Sequence, residues 1–246
     1  MSGPVALVGA GEFLAPMTDL DRALLAATGR RRPRVAILPT GVVPAGEDAF
    51  RRVSAMGEEH FRALGAEVET VEVRDRAGAD DVANAQAIGE ADVIYLCDGD
   101  AGHLVRTLTG SAVWAAARDA NDRGALLVGC AAGAMVLGER QLEVGIRRGW
   151  PVHWRDGLGG AGGIVVLPRY DAHPEPVMAL LALRAPHGIT VVGIDRDTAI
   201  IGRDGTWEVR GLARVTIWRG RHRERRGAGE AFRLGEPVAA DAFTGD

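Results

Sequence analysis

The stretch ALLVGCAAGAMVLGER, residues 125–140, decides the fold. Its first half is an apolar run suited to a strand covered on both faces, and Gly129 and Gly133 then bracket a tight turn that leads into a helical pattern. A strand, a sharp turn and a helix in this order hold a catalytic nucleophile above a parallel sheet, with a glycine on each side because strand and helix pack too closely for a β-carbon. The apex is Ala131, where chemistry would need a hydroxyl or a thiol. It is expected in sparsely populated backbone angles, because such turns are strained.

Outward from this turn, short apolar runs alternate with longer amphipathic ones: VALVG, RVAILPT, EVETVEV and DVIYLC, with helical patterns between them. Alternation of this kind implies βα units and a mostly parallel sheet. From about Thr190 the pattern changes to TVVGID, TAIIG, TWEVRG and RVTIW with an Asp204-Gly205 turn, read as antiparallel strands completing one edge. Residues 1–246 contain no repeat, low-complexity linker or boundary, so a single domain is expected. In an open parallel sheet the ligand site lies beyond the carboxyl ends of the strands. Gly9–Glu12, Thr40 and Gly41, Cys97–His103 and Cys130–Ala134 should line one cleft there.

Composition removes several classes of function. All 29 basic residues are arginine, so no Schiff-base lysine, P-loop lysine or Ser-Lys pair exists. A net charge of −4 with interspersed signs gives no footprint for nucleic acid or an anionic membrane. The basic run Arg219–Gly227 reads as a solvated face. Two cysteines are too few for a disulfide scaffold and point to a reducing, cytoplasmic setting. The amino terminus lacks the basic segment of a signal peptide, and no apolar run has the length of a membrane span. Glu12, Asp98, Asp100 and His103 are the right residue types for a hard cation but lack ligand spacing, so no metal and no cofactor are expected.

Four segments together carry a resemblance. ALLVGCAAGAMVLG resembles the G-x-S-A-G-A elbow of the serine peptidases that include cyanophycinase and peptidase E, an aspartyl dipeptidase. LVGAGEF looks like that family's glycine-rich first turn, and IYLCDGDAGHL like its F-x-G-G-D-Q segment. VVGIDRDTAIIG is similar to its G-I-D-E-x-T-A strand pair. The resemblance spans Val5–Ile217 and implies an α/β three-layer sandwich of the glutamine amidotransferase-like, flavodoxin-like kind, with a mostly parallel central sheet.

For the site, the resemblance places the nucleophile on Ala131 and the oxyanion donor on the Ala132 N–H. Gly11, Glu12, Gly99, Cys130 and His103 fall around it. The base position falls on Arg169, which stays protonated and cannot accept a proton. His173 is the nearest imidazole. Asp98 puts a carboxylate among the oxyanion donors, and its charge opposes an oxyanion. Cys130 precedes the apex and reads as a buried structural thiol.

Three functions remain open. The leading one is a diverged homologue that keeps the cleft for a small molecule or short peptide bearing a carboxylate, which Arg169 would grip as a fork. The second is an active serine hydrolase carrying a Ser-to-Ala change. The third is acid/base chemistry on a small molecule by Asp98, Asp100, His103 or His173. Nothing in the sequence excludes a homo-oligomer.

Overall fold

The computed structural model describes residues 3–147 and 150–234, with the side chains of 144–152 left aside. The first half alternates each strand with one or two helices: β1 (Val5–Val8), α1 (Thr18–Ala27), β2 (Arg34–Leu38), α2 (Glu47–Ala63), β3 (Glu67–Thr70), α3 (Arg76–Ala79), α4 (Val82–Gly89), β4 (Val93–Leu96), α5 (Ala101–Leu108), α6 (Ala112–Asp122), β5 (Leu126–Cys130) and α7 (Ala132–Leu137). The second half is mostly strands: β6 (Gly138–Arg147), β7 (Trp150–Asp156), β8 (Ala161–Pro168), α8 (Glu175–Leu183), β9 (Thr190–Ile194), β10 (Thr198–Arg203), β11 (Thr206–Gly211), β12 (Arg214–Arg219), β13 (His222–Gly227) and β14 (Ala231–Arg233).

The central sheet has the order β14-β11-β10-β1-β5-β4-β2-β3. Strands β1 to β5 within it are mutually parallel, and β10, β11 and β14 extend its edge antiparallel. Side-chain alternation separates the two faces. Ala6, Val8, Val35, Ile37, Tyr95 and Val128 face one way and pack with Leu20 and Leu24 of α1 and Phe61 of α2. Leu7, Leu38, Ile94 and Leu127 face the other way, against Leu104 of α5 and Trp114 of α6.

One expectation needs correction. The late strands do not all complete one edge: β9 and β12 leave the central sheet and join a second one, ordered β13-β12-β9-β8-β6-β7. The second sheet exists because β8, β9 and β12 are apolar on both faces. Ile164, Val192 and Ile217 share the cluster behind the central sheet, while Val165, Val191 and Trp218 pack with Met178 and Ala182 of α8. The expected strand EVETVEV is also shorter, ending at Thr70. The basic run lies on the β12–β13 hairpin, where Arg223 and Arg225 pair with Glu175, and Arg219 and Arg226 with Glu224. No helix among the described residues is long and apolar enough to cross a membrane.

The glycines of the turn behave as their spacing requires. A β-carbon on Gly133 would stand 2.2 Å from the Leu96 carbonyl oxygen, and one on Gly129 would stand 2.5 Å from the Gly133 backbone. Gly89, the last residue of α4, has open space around its α-carbon. Gly133→Ala should therefore destabilise the chain by at least about 3 kcal/mol in urea unfolding, through backbone overpacking. Gly89→Ala should be neutral or stabilise it by up to about 1 kcal/mol.

Candidate active site

Strand β5 runs into the turn with Cys130 buried, and Ala131 then takes φ 46° and ψ −104° before α7 begins. A non-glycine residue with these angles is strained by about 1–3 kcal/mol and persists only where its surroundings fix it. Here the Ala131 N–H donates to the Val8 carbonyl at 2.9 Å and the Ala131 carbonyl accepts from Met135 at 2.9 Å. Both bonds tie the apex, one to the end of β1 and the other to α7. The methyl group of Ala131 is buried.

Asp98, just past β4, occupies the oxygen-accepting position beside this apex. Its Oδ1 accepts from the Ala132 N–H at 3.1 Å and from the Gly99 N–H at 2.8 Å, while Oδ2 accepts from the Arg169 guanidinium. Arg169 follows β8 and adopts left-handed angles of φ 50° and ψ 41°. One carboxylate thus takes up the N–H of the residue after the apex, a second backbone donor and the nearest cation. The arrangement is charge-assisted at every contact, although the Asp98–Arg169 pair is 28 % and 47 % exposed, so its contribution to stability is small.

Glu12 lies beneath Asp98. Its Oε2 accepts from the Asp98 N–H at 3.0 Å, and the Cys130 thiol faces the same carboxyl. Burial raises its pKa from 4.5 to about 8, helped by the Asp98 charge and opposed by the backbone bond and by Arg169. Glu12 is therefore a neutral acid at neutral pH. Burial likewise pushes the Cys97 and Cys130 thiols well up, so neither is a thiolate nucleophile. Gly11 has φ 98° and packs so close to Asp197 that a β-carbon would stand 2.3 Å from its Oδ1. The first turn is locked in this way onto the loop between β9 and β10.

Glu12, Asp98, Gly99, Cys130, Ala131, Ala132 and Arg169 come together, with Gly11 on the supporting turn. Two other expected members, Asp100 and His103, are engaged elsewhere. Asp100 caps α5, accepting from the His103 N–H at 2.6 Å, and the His103 ring bonds the Arg74 carbonyl at 3.1 Å. Both are engaged on the flank formed by α3 and α5 because the N-cap geometry turns them there. His173 is exposed, and its ring forms no hydrogen bond or ion pair among the described residues. Hollows of about 610 Å³ and 400 Å³ lie at the opposite, amino-terminal ends of the strands. No group of three or more His, Cys, Asp or Glu side chains among the described residues could hold a metal ion.

One further pair is marked in the sequence itself. Where the family motif is G-I-D-E, this chain has Gly193-Ile194-Asp195-Arg196. Arg196 binds Asp171 through both its backbone N–H, at 2.9 Å, and its Nε, at 2.7 Å. An arginine at that acidic position was the signal.

Fold and turn together define an α/β protein with mixed sheets and a strained strand-turn-helix connection at residue 131. The chain belongs to peptidase family S51, whose family model matches residues 5–210. It is similar to a peptidase from an acI-B1 Actinobacterium, at 26 % identity and a TM-score of 0.84 over 95 % of this chain and 97 % of that one. It also shares its fold with a putative peptidase E protein from Listeria monocytogenes EGD-e, at 15 % identity and a TM-score of 0.64, covering 87 % of this chain and 100 % of that one.

The Glu12 shift carries a pH dependence of defined sign. The folded chain binds a proton that the unfolded chain releases between 4.5 and about 8, so this contribution is complete at acid pH and is lost as pH rises through 8. Melting temperatures followed from about pH 5 to about pH 9 should fall by about 4 °C or more from this source, and Glu12→Gln should remove that part of the slope. Asp21, whose pKa burial also raises, leaves a residual slope of the same sign.

Proposed function

We propose that this chain is a diverged member of its peptidase family that binds a small carboxylate-bearing peptide or amino-acid derivative and does not cleave peptides through residue 131. The observation that carries the reading is the Asp98 carboxylate, held at once by the Ala132 N–H, the Gly99 N–H and Arg169. A tetrahedral intermediate needs those backbone donors for its own oxyanion, and here the Asp98 carboxylate already takes them. The apex side chain is a methyl group, and the base position carries a guanidinium. Family membership supports descent from a hydrolase, so the ancestral residue at 131 would be serine.

The same three donors suit a ligand carboxylate, which would exchange with Asp98 at Arg169. Arg169 then serves as the fork that selects the ligand's charge, and Glu12, being neutral, adds no repulsion. Two buried free thiols accord with a cytoplasmic location.

Two measurements test this reading. Ala131→Ser alone should leave hydrolysis of β-aspartyl and aspartyl dipeptides about 10⁴-fold or more below an ordinary peptidase rate, while Ala131→Ser with Arg169→His should exceed either single change. An ordinary rate from Ala131→Ser alone would show instead that the machinery is intact but for one hydroxyl. In titration calorimetry with an aspartyl dipeptide, Arg169→Ala should weaken binding at least about tenfold and Asp98→Asn should strengthen it. Affinity should also decline as pH passes about 8 and Glu12 ionises. Absence of binding would overturn the proposal.

A further inference from the structure

The larger hollow, of about 610 Å³, lies where β1, β5 and β8 begin, at the far end of these strands from residue 131. Its floor is apolar: Val5, Leu127, Ala161 and Trp207 line it, each at most 6 % exposed. Close packing fixes its walls. A β-carbon on Gly202 would stand 2.4 Å from the Trp207 ring, and one on Gly3 would stand 2.4 Å from the Ala125 carbonyl oxygen. The Asp204-Gly205 turn, with φ of 51° and 79°, has the positive angles of a tight hairpin connection. It is held by Leu234, whose N–H donates to the Gly205 carbonyl at 2.9 Å. The hollow is therefore formed in advance of any ligand, and its volume falls in the range of small-molecule sites, about 300–1,000 Å³.

Four charged side chains stand at the exposed rim: Arg118 and Asp122 of α6, Arg203 at the end of β10 and Asp204 of the turn. Arg118 and Asp122 have the i,i+4 spacing of a helical ion pair, yet none of the four side chains forms a hydrogen bond or ion pair among the described residues. At the Asp98–Arg169 cluster, by contrast, the two charges satisfy each other. Two unpaired charges of each sign over an apolar floor disfavour the simpler ligands. The aspartates repel a bare anion such as phosphate, the arginines repel a simple cation, and the rim sums to zero. We propose that this hollow binds a zwitterionic apolar amino acid or dipeptide. Arg118 and Arg203 take its carboxylate through charge-assisted hydrogen bonds, Asp122 and Asp204 take its ammonium group, and Val5, Leu127 and Trp207 receive its apolar side chains. The site is separate from the Asp98–Arg169 cluster, and the inference does not rest on the function proposed for that cluster.

The test is titration calorimetry on the full chain carrying Arg169→Ala, which removes the cation of the other cluster so that only the hollow is read. L-Leucyl-L-leucine should bind saturably with one-to-one stoichiometry. N-acetyl-L-leucyl-L-leucine, which lacks the ammonium group, and L-leucyl-L-leucinamide, which lacks the carboxylate, should each bind at least about tenfold more weakly. Adding Arg203→Ala or Asp204→Asn should weaken the dipeptide by a similar factor; both side chains are exposed, and asparagine accepts the left-handed angles of residue 204. Hydrogen exchange on the unaltered chain gives an independent reading, because the dipeptide should slow exchange at residues 157–163 and 203–207. Absence of saturable binding up to about 10 mM would overturn the proposal. So would equal affinity for the three compounds, or exchange left unchanged at both segments.

Discussion

The close approach of α7 to the end of β4, possible only because residue 133 is glycine, is the constraint on which the rest of the site depends. With the Gly133 α-carbon against the Leu96 carbonyl, the first turn of α7 begins directly beside the loop that leaves β4. The Ala132 N–H therefore points at Asp98, and Asp98 is near enough to be shared with Arg169 from β8. Three strands are coupled at their carboxyl ends through one carboxylate. A larger residue at 133 would separate β4 from α7 and dissolve the cluster before any charge was altered.

Electrostatics then settles the character of the site. Asp98, Arg169 and a neutral Glu12 sum to zero, and the same acid ionised would leave a net negative charge beside the buried apex. Desolvation resolves this by holding the proton on Glu12. The neighbouring Asp171–Arg196 pair repeats the scheme, with a carboxylate satisfied by a backbone N–H and a guanidinium together. An arginine thus stands both at the position the resemblance gives to the base, Arg169, and at the fourth position of the G-I-D-E-like segment, Arg196. Each is answered by an aspartate close to it in space, so the charge change is compensated locally.

The second sheet supports these arginines. Strand β8 pairs with β9 in parallel, with Pro168 opposite Ile194, so Arg169 and Asp195 leave adjacent strands side by side. The aromatic group of Phe13, Phe61 and Tyr95 anchors the first turn on the opposite face of the central sheet. Phe13 accepts a φ of 61° to join it, a strain offset by that packing, and this fixes the preceding residue, Glu12, under Asp98.

The sequence by itself determined the parallel core, since the runs VAIL and VIYLC are apolar on every residue, the pattern of a strand covered on both faces. It also determined the tight turn, because two glycines four apart around Ala131 have a steric meaning that needs no partner from elsewhere in the chain. The division of the late strands between two sheets was not legible, because a strand's pattern records that both faces are buried but not which strand lies beside it. Asp98, Asp100 and His103 look alike in sequence, as polar residues after one strand. Only the tertiary structure sends Asp98 to Ala132 and Arg169 and turns the other two toward the α5 cap and Arg74, because those partners are brought in by elements distant in the chain. The proton on Glu12 belongs to the same category, since desolvation is set by what surrounds a side chain rather than by its neighbours in sequence.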